Sequence, residues 1–272
     1  MSGSVAKEIA LAQTLESLGS VVVAYSGGVD SAYLACVAHR TLGDRAWAIT
    51  ADSPSYPEHH RTLAVRIAQE FGLRHEFIFT AELDRPEYRA NPSNRCYYCK
   101  HELYTHLSRV AADRRAVVVD GSNADDRTDY RPGRQAAREF GVRSPLDEVG
   151  LSKEEIRELS RRAGLPTWDE PASACLSSRI PYHHEVTDEK LRMIERAERS
   201  LRDLGFKVFR VRHHDELARV EIGRDELPRA LDPAVRSDIV RQLKAAGYRF
   251  VTLDLQGYRS GSLNEGLVLK PA

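Results

Sequence analysis

No apolar run in this sequence approaches the roughly 20 residues a membrane-spanning helix needs, so no such span is expected. Charge of one sign is not in surplus either. Lys plus Arg and Asp plus Glu number 40 each. That balance removes any general argument for nucleic acid or anionic membranes as partners, although local patches can still be basic. The N-terminal Met-Ser-Gly-Ser-Val-Ala-Lys carries no apolar signal-peptide core. A cytoplasmic protein is therefore expected, with no nucleic acid and no membrane among its partners. Internal repeats and low-complexity tracts are missing. Cysteine is sparse, at positions 36, 96, 99 and 175. In a reducing compartment these are not expected to form structural disulfides, which leaves metal binding or thiol chemistry for a Cys-x-x-Cys.

What is present suits a globular protein. The chain has 272 residues, 42% hydrophobic and 29% charged, enough for one large domain or an ordinary one plus a smaller one. The stretch that organises it is Val21-Val22-Val23-Ala24-Tyr25-Ser26-Gly27-Gly28-Val29-Asp30-Ser31. A β-branched run enters a Ser-Gly-Gly turn, and a helix-compatible segment leaves it. Gly27 and Gly28 lack Cβ atoms, so the backbone can bend sharply and approach a ligand. Successive N–H groups and the positive end of the helix dipole make an anion cradle. Ser26 and Ser31 add hydroxyls, and Asp30 is placed to hold a magnesium ion that bridges phosphates. A plain strand-to-helix turn would need only the glycines. The loop has neither the Lys of a Walker A motif nor the spacing G-x-G-x-x-G, so a P-loop kinase and a dinucleotide site are both disfavoured.

Strand-like segments at 20–25, 45–51, 75–80 and 116–120 alternate with helical ones at 30–41, 57–71 and 97–113. Near-continuous apolar strands suit a parallel sheet covered on both faces. The alternation predicts a doubly wound α/β sheet. Ser152 and Glu155 have capping-box spacing before a further helix. An irregular segment from 167 to 184 carries two prolines and reads as the domain junction. Beyond it, a long charged helix at 188–204, strands near 206–212 and 217–222, a helix capped by Asp232-Pro233 and a last strand near 250–255 predict a smaller α+β domain. The expected division is 1–170 and 171–272.

Cys96 and Cys99 sit at chelate spacing at a loop-to-helix start, where the helix dipole favours thiolates. Two thiols cannot close a zinc site, which takes four ligands. A four-iron cluster can keep one iron open when three cysteines hold it, and Cys175 is the other loop cysteine. A cluster, a zinc completed by His101, and a metal-free pair of small helix residues all remain open here. Cys36 lies among small apolar residues and reads as core filler. Cys175 also has a nucleophilic reading. Beside Arg179, its thiolate would attack a carboxyl adenylate and displace AMP. Arg210 and Arg212 alternate on one strand and so share a face, where two guanidiniums suit a substrate phosphate. Arg259 and Ser260, in a glycine-flanked turn, suit the same task. Asp129 and Arg131 follow the fourth strand, at the end where open α/β sheets bind ligands. A solvated face is the alternative for each arginine.

The string Ser-Gly-Gly-Val-Asp-Ser resembles the pyrophosphate loop of the N-type ATP pyrophosphatases, which have the adenine nucleotide alpha hydrolase-like fold and split ATP into AMP and pyrophosphate. Together with residues 95–100, 121–133, 173–182 and 257–261, it resembles the LarE-type ATP-dependent sulfur transferases over nearly the whole chain. The resemblance implies adenylation of pyridinium-3,5-dicarboxylate mononucleotide and its conversion to thiocarboxylates for the nickel-pincer cofactor of lactate racemase. It further implies ATP and Mg2+ as cofactors and a homo-oligomeric assembly. Two sulfur sources occur in the family. In one, the cysteine matching Cys175 surrenders its sulfur and becomes dehydroalanine. In the other, three cysteines hold a 4Fe-4S cluster whose open iron carries the donated sulfide. Cys96 and Cys99 depart from the sacrificial pattern and favour the cluster, held with Cys175. A tRNA-thiolating enzyme, an amidating synthetase and a non-catalytic nucleotide- and metal-binding redox module are the rival readings.

Overall fold

A computed structural model describes residues 3–127, 132–171, 174–259, 261 and 262. The chain forms two compact units, residues 1–82 with 94–173, and residues 83–93 with 174–272.

In the first unit, helix α1 (Gly3–Leu18) precedes strand β1 (Val21–Ala24), α2 (Val29–Leu42), β2 (Ala46–Asp52), α3 (Glu58–Glu70) and β3 (Arg74–Phe79). A short α4 (Pro86–Arg89) belongs to the second unit. The first resumes with α5 (Arg95–Arg114), β4 (Val117–Val119), α6 (Gly133–Glu139), α7 (Pro145–Glu148) and α8 (Lys153–Arg162). The strands form a parallel sheet of four in the order β3-β2-β1-β4, with Val21 beside Ala46 and Val117. Successive side chains of β1 leave on opposite faces. Val21 and Val23 pack with α1, α2, α3 and α8. Val22 packs with Tyr104 and Leu107 of α5 and Ala136 and Ala137 of α6. Each of the three valines is at most 1% exposed, worth about 1.5–3 kcal/mol apiece. This is the expected α/β sheet of the adenine nucleotide alpha hydrolase-like type, flanked by helices on both faces. The chain runs outward from β1 to β3, then returns to β4 on β1's other side. That reversal opens a crevice at the carboxyl ends of β1 and β4, the place where open α/β sheets take ligands.

The capping box forms as expected. Ser152 accepts from the Glu155 N–H, and the Glu155 carboxylate accepts from the Ser152 N–H.

The second unit contains α9 (Asp188–Asp203), β5 (Phe209–His214), β6 (Leu217–Ile222), α10 (Leu227–Leu231), α11 (Pro233–Ala245) and β7 (Phe250–Leu253). Its three-stranded sheet runs β5-β6-β7, antiparallel then parallel, and α9 and α11 bury their apolar faces with it. Thr187 caps α9 and Asp232 caps α11. Residues 83–93, inside the 1–170 part of the expected division, group with this unit. Asn91, fully buried, donates from its side-chain amide to the carbonyls of Ile180, Pro181 and His184. The Tyr88 and Ser177 hydroxyls are 2.6 Å apart. Such pairings span about 90 positions of chain and leave no periodicity in the sequence.

Candidate active site

β1 ends at Ala24, and the turn that follows is clasped from several sides. The Tyr25 hydroxyl donates to the Ala64 carbonyl of α3 at 3.0 Å. Gly27 has φ +67° and lies directly on α3: an added Cβ would sit 2.9 Å from the Ala64 Cβ and 3.0 Å from the His60 carbonyl oxygen. Gly28 meets only the Ser26 hydroxyl, at an ordinary 3.5 Å, so its cradle side is open. The N–H groups of Gly27, Gly28 and Val29 donate to no acceptor among the described residues. Ser31 Oγ binds the turn internally, accepting from Ser26 N–H at 3.1 Å and donating to the Gly28 carbonyl at 3.1 Å. The three unmatched donors and the start of α2 form an anion-binding concavity.

Gly121, directly after β4, backs this turn. A Cβ there would lie 2.9 Å from Ser31 N and 3.2 Å from its Cα. No side chain can be accommodated against that backbone, so glycine is what lets β4 come up to the start of α2. Gly121 opens the segment 121–133, and its place after an apolar strand is the signal in the sequence for this close approach.

Asp30 points one carboxylate oxygen at Lys153 Nζ, 2.6 Å away. Its other oxygen, Oδ1, is buried and accepts no hydrogen bond among the described residues. An orphaned carboxylate oxygen beside an anion cradle fits a hard divalent cation such as magnesium. Lys153 opens α8, where its own N–H donates to Asp125 at 2.8 Å and the capping box holds the turn. Sequence reasoning found the cap and missed the lysine as a site residue. Asp30 and Lys153 are 123 positions apart, and only the fold brings that cation to the turn.

Cys96 and Cys99 lie on the first turn of α5, three positions apart and so on one face, the first exposed and the second half-buried. Both are thiols rather than disulfides, as is half-buried Cys175 in the second unit. Soft, accessible cysteine sulfurs fit iron–sulfur ligation in kind. Among the described residues no group of three or more His, Cys, Asp or Glu side chains is arranged to hold a metal ion. Cys36 is buried in the α2 core, as expected, and burial pushes its thiol up to about 12.

Around Cys175 the backbone is held tightly. Its carbonyl accepts from Ser178 N–H at 3.0 Å, Ser178 Oγ at 2.7 Å and Arg179 Nη1 at 3.0 Å. Arg179 Nη1 also donates to the Ala174 carbonyl at 2.6 Å. The guanidinium faces Glu198 in two parallel bonds of 2.8 and 2.9 Å. Both side chains are buried, at 1% and 4% exposure. Burial alone would lower the arginine and raise the acid, but their mutual attraction overrides it in each, so the ion pair persists. The sequence reading had this cation acting on the Cys175 thiol. Arg179 is paired with Glu198 and its Nη1 holds the cysteine's backbone, while its charge also acts on the Cys175 sulfur.

Arg210 and Arg212 share a face of β5 as expected, and both are buried rather than solvated. Arg212 donates to Glu221 and to the Ser178 carbonyl, each at 2.9 Å. Arg210 lies 5.0 Å over the Tyr258 ring, and burial, then Arg179 beside it, lowers its pKa. Arg179, Arg210 and Arg212 thus stand against two buried carboxylates, Glu198 and Glu221. Arg259 is half-buried after Gly257-Tyr258, whose chain is tied back by Tyr258 N–H to the Ile222 carbonyl at 2.8 Å. Asp129, Arg131 and Ser260 fall outside the described residues.

A family model described as asparagine synthase matches residues 8–125, which hold the glycine turn and all four strands of the parallel sheet. An uncharacterized protein of Synechocystis is 47% identical over 258 residues, covering 94% of this chain and 96% of its own. The pyridinium-3,5-bisthiocarboxylic acid mononucleotide synthase of Lactiplantibacillus plantarum is 37% identical over 264 residues, covering 96% of this chain and 95% of its own. The chain belongs to the LarE-type family of ATP-dependent sulfur transferases. A likeness of 27% to a glutamine-hydrolyzing GMP synthase polypeptide of Methanopyrus kandleri spans 65% of this chain and 60% of that one. The LarE-type likeness extends through the second unit, where Cys175, Arg210 and Arg212 lie.

Proposed function

We propose that this LarE-type enzyme adenylates the carboxylates of pyridinium-3,5-dicarboxylate mononucleotide and converts them to thiocarboxylates, for the nickel-pincer cofactor of lactate racemase. The first unit acts as the ATP pyrophosphatase part and the second as the substrate and sulfur-transfer part. A substrate carboxylate oxygen attacks the α-phosphorus of ATP, and pyrophosphate leaves. Sulfur then attacks the carboxyl carbon, and AMP leaves with the oxygen. Ser26, Gly27, Gly28 and Ser31 hold the departing pyrophosphate, and Asp30 would hold a magnesium ion through Oδ1, which would supply neutralising charge. Arg210, Arg212 and Arg259, with Ser260, receive the mononucleotide phosphate, and Asp129 and Arg131 assist in holding substrate. Cys96, Cys99 and Cys175 would hold a 4Fe-4S cluster, which when bound would supply the sulfur for transfer. The enzyme is proposed to work in the cytoplasm as a homo-oligomer, without nucleic acid.

The observation that carries this reading is full-length likeness to the L. plantarum synthase in a chain whose glycine turn presents three unmatched N–H groups. A second reading keeps the reaction and makes Cys175 the sacrificial donor, favoured by the three donors that fix its backbone while the thiol stays accessible. Anaerobic purification with iron and sulfide analysis, then intact mass before and after one turnover, separates them. Bound iron with unchanged protein mass supports the cluster. Loss of one H2S at Cys175 supports self-sacrifice. Absence of pyrophosphate release with the mononucleotide present overturns both.

A further inference from the structure

Between β2 and α3 runs Ser53-Pro54-Ser55-Tyr56-Pro57, which none of the roles above uses. It is unusually well fixed. Tyr56 N–H donates to the Ser53 carbonyl at 3.0 Å, closing a turn. Ser55 Oγ donates at 2.8 Å to Glu82, which is 2% exposed. The second Glu82 oxygen accepts from Thr80 Oγ1 at 2.9 Å. Pro57 then starts α3 with φ −64°. Tyr56 therefore leaves a rigid turn and enters a rigid helix. Its hydroxyl donates to the Ser26 carbonyl at 2.9 Å. Burial, then the nearby Asp52 charge, raises its pKa, so the phenol stays a neutral donor.

That bond has a consequence for the peptide joining Ser26 to Gly27. All described peptides are trans, and in a trans peptide C=O and N–H point in opposite directions. With the Ser26 carbonyl turned to Tyr56, the Gly27 N–H is turned away from it. Gly27 needs this restraint. Glycine visits many φ values at little cost, and here it is held at +67°. A flipped peptide would present a carbonyl dipole to an incoming anion in place of a donor.

We propose that Tyr56 is a positioning residue for the anion cradle, its hydroxyl setting the Ser26–Gly27 peptide so that the Gly27 N–H faces the pyrophosphate portion of ATP. The role rests on the pyrophosphate reading of the glycine turn. It adds no contact between Tyr56 and the nucleotide.

Tyr56→Phe in the full chain tests it. The ring and its packing stay, and one neutral hydrogen bond goes, which corresponds to about a 5- to 10-fold change in an equilibrium. Calorimetric titration with inorganic pyrophosphate plus magnesium, and separately with AMP, is the readout, alongside KM and kcat for ATP. The expected result is pyrophosphate binding about 5- to 10-fold weaker, AMP binding unchanged, KM for ATP raised by a similar factor and kcat retained. Pyrophosphate binding equal to wild type overturns the role, with the loop reading left standing. Equal weakening of AMP and pyrophosphate also overturns it, because the hydroxyl would then support the pocket as a whole. Wild type that binds no pyrophosphate overturns the loop reading, and the Tyr56 role with it.

Discussion

Glu198→Gln isolates the buried ion pair that holds the Cys175 backbone. The substitution keeps shape and one acceptor oxygen but removes the charge facing Arg179. Two bonds of 2.8 and 2.9 Å and a third from Val211 N–H at 3.1 Å are disturbed. The larger effect is the guanidinium left uncompensated at 1% exposure, with Arg210 already close to it. Breaking a buried pair from one side costs about 3–5 kcal/mol. At a urea slope of roughly 2 kcal/mol/M, the unfolding midpoint falls by roughly 2 M. Urea denaturation followed by circular dichroism measures it. The sign with pH is fixed as well. Folding holds Glu198 below its ordinary 4.5, so its stabilisation is present above that value and lost as pH falls through the folded value. The gap between wild type and variant is therefore full at pH 7 and shrinks in acid. A difference below about 1 kcal/mol at pH 7 would refute the view that Arg179 is held as a cation by Glu198.

His213 supplies a pH-dependent test in the same unit. It is 3% exposed, 3.1 Å from the Tyr248 hydroxyl, and pushed down to about 4 by burial first and then Lys190, with His214 and His184 adding and Asp215 opposing. The unfolded chain takes up its proton below about 6.5 and the folded chain does so only near 4, so stability is lost across that window, by roughly 2–3 kcal/mol. His213→Gln should flatten the fall in urea stability between pH 7 and pH 5. Gly121→Ala places a methyl 2.9 Å from Ser31 N, and backbone there cannot yield without moving the turn. Its pyrophosphate release should drop by at least ~10-fold, equivalent to about 1.4 kcal/mol of lost transition-state binding, with the fold retained by circular dichroism; undiminished release would show that the start of α2 tolerates displacement.

Local chemistry made much of this protein legible in its sequence. Valine runs named β1 and β4, because strands buried on both faces need apolar residues throughout. Ser26-Gly27-Gly28 pointed to the cradle, because at Gly27 only a residue without Cβ permits that path, and Ser152 with Glu155 named a helix start from spacing alone. The face shared by Arg210 and Arg212 followed from the two-residue period of a strand. Tertiary structure decided the rest, since those facts depend on which distant groups meet. Lys153 reaches Asp30 from 123 positions away, and Asn91 binds carbonyls about 90 positions on, drawing residues 83–93 into the second unit. Arg179 reads in sequence as a neighbour of Cys175. Packing against α9 also pairs it with Glu198, because a buried cation needs a buried anion, and its Nη1 fixes the cysteine's backbone as well as acting on the sulfur.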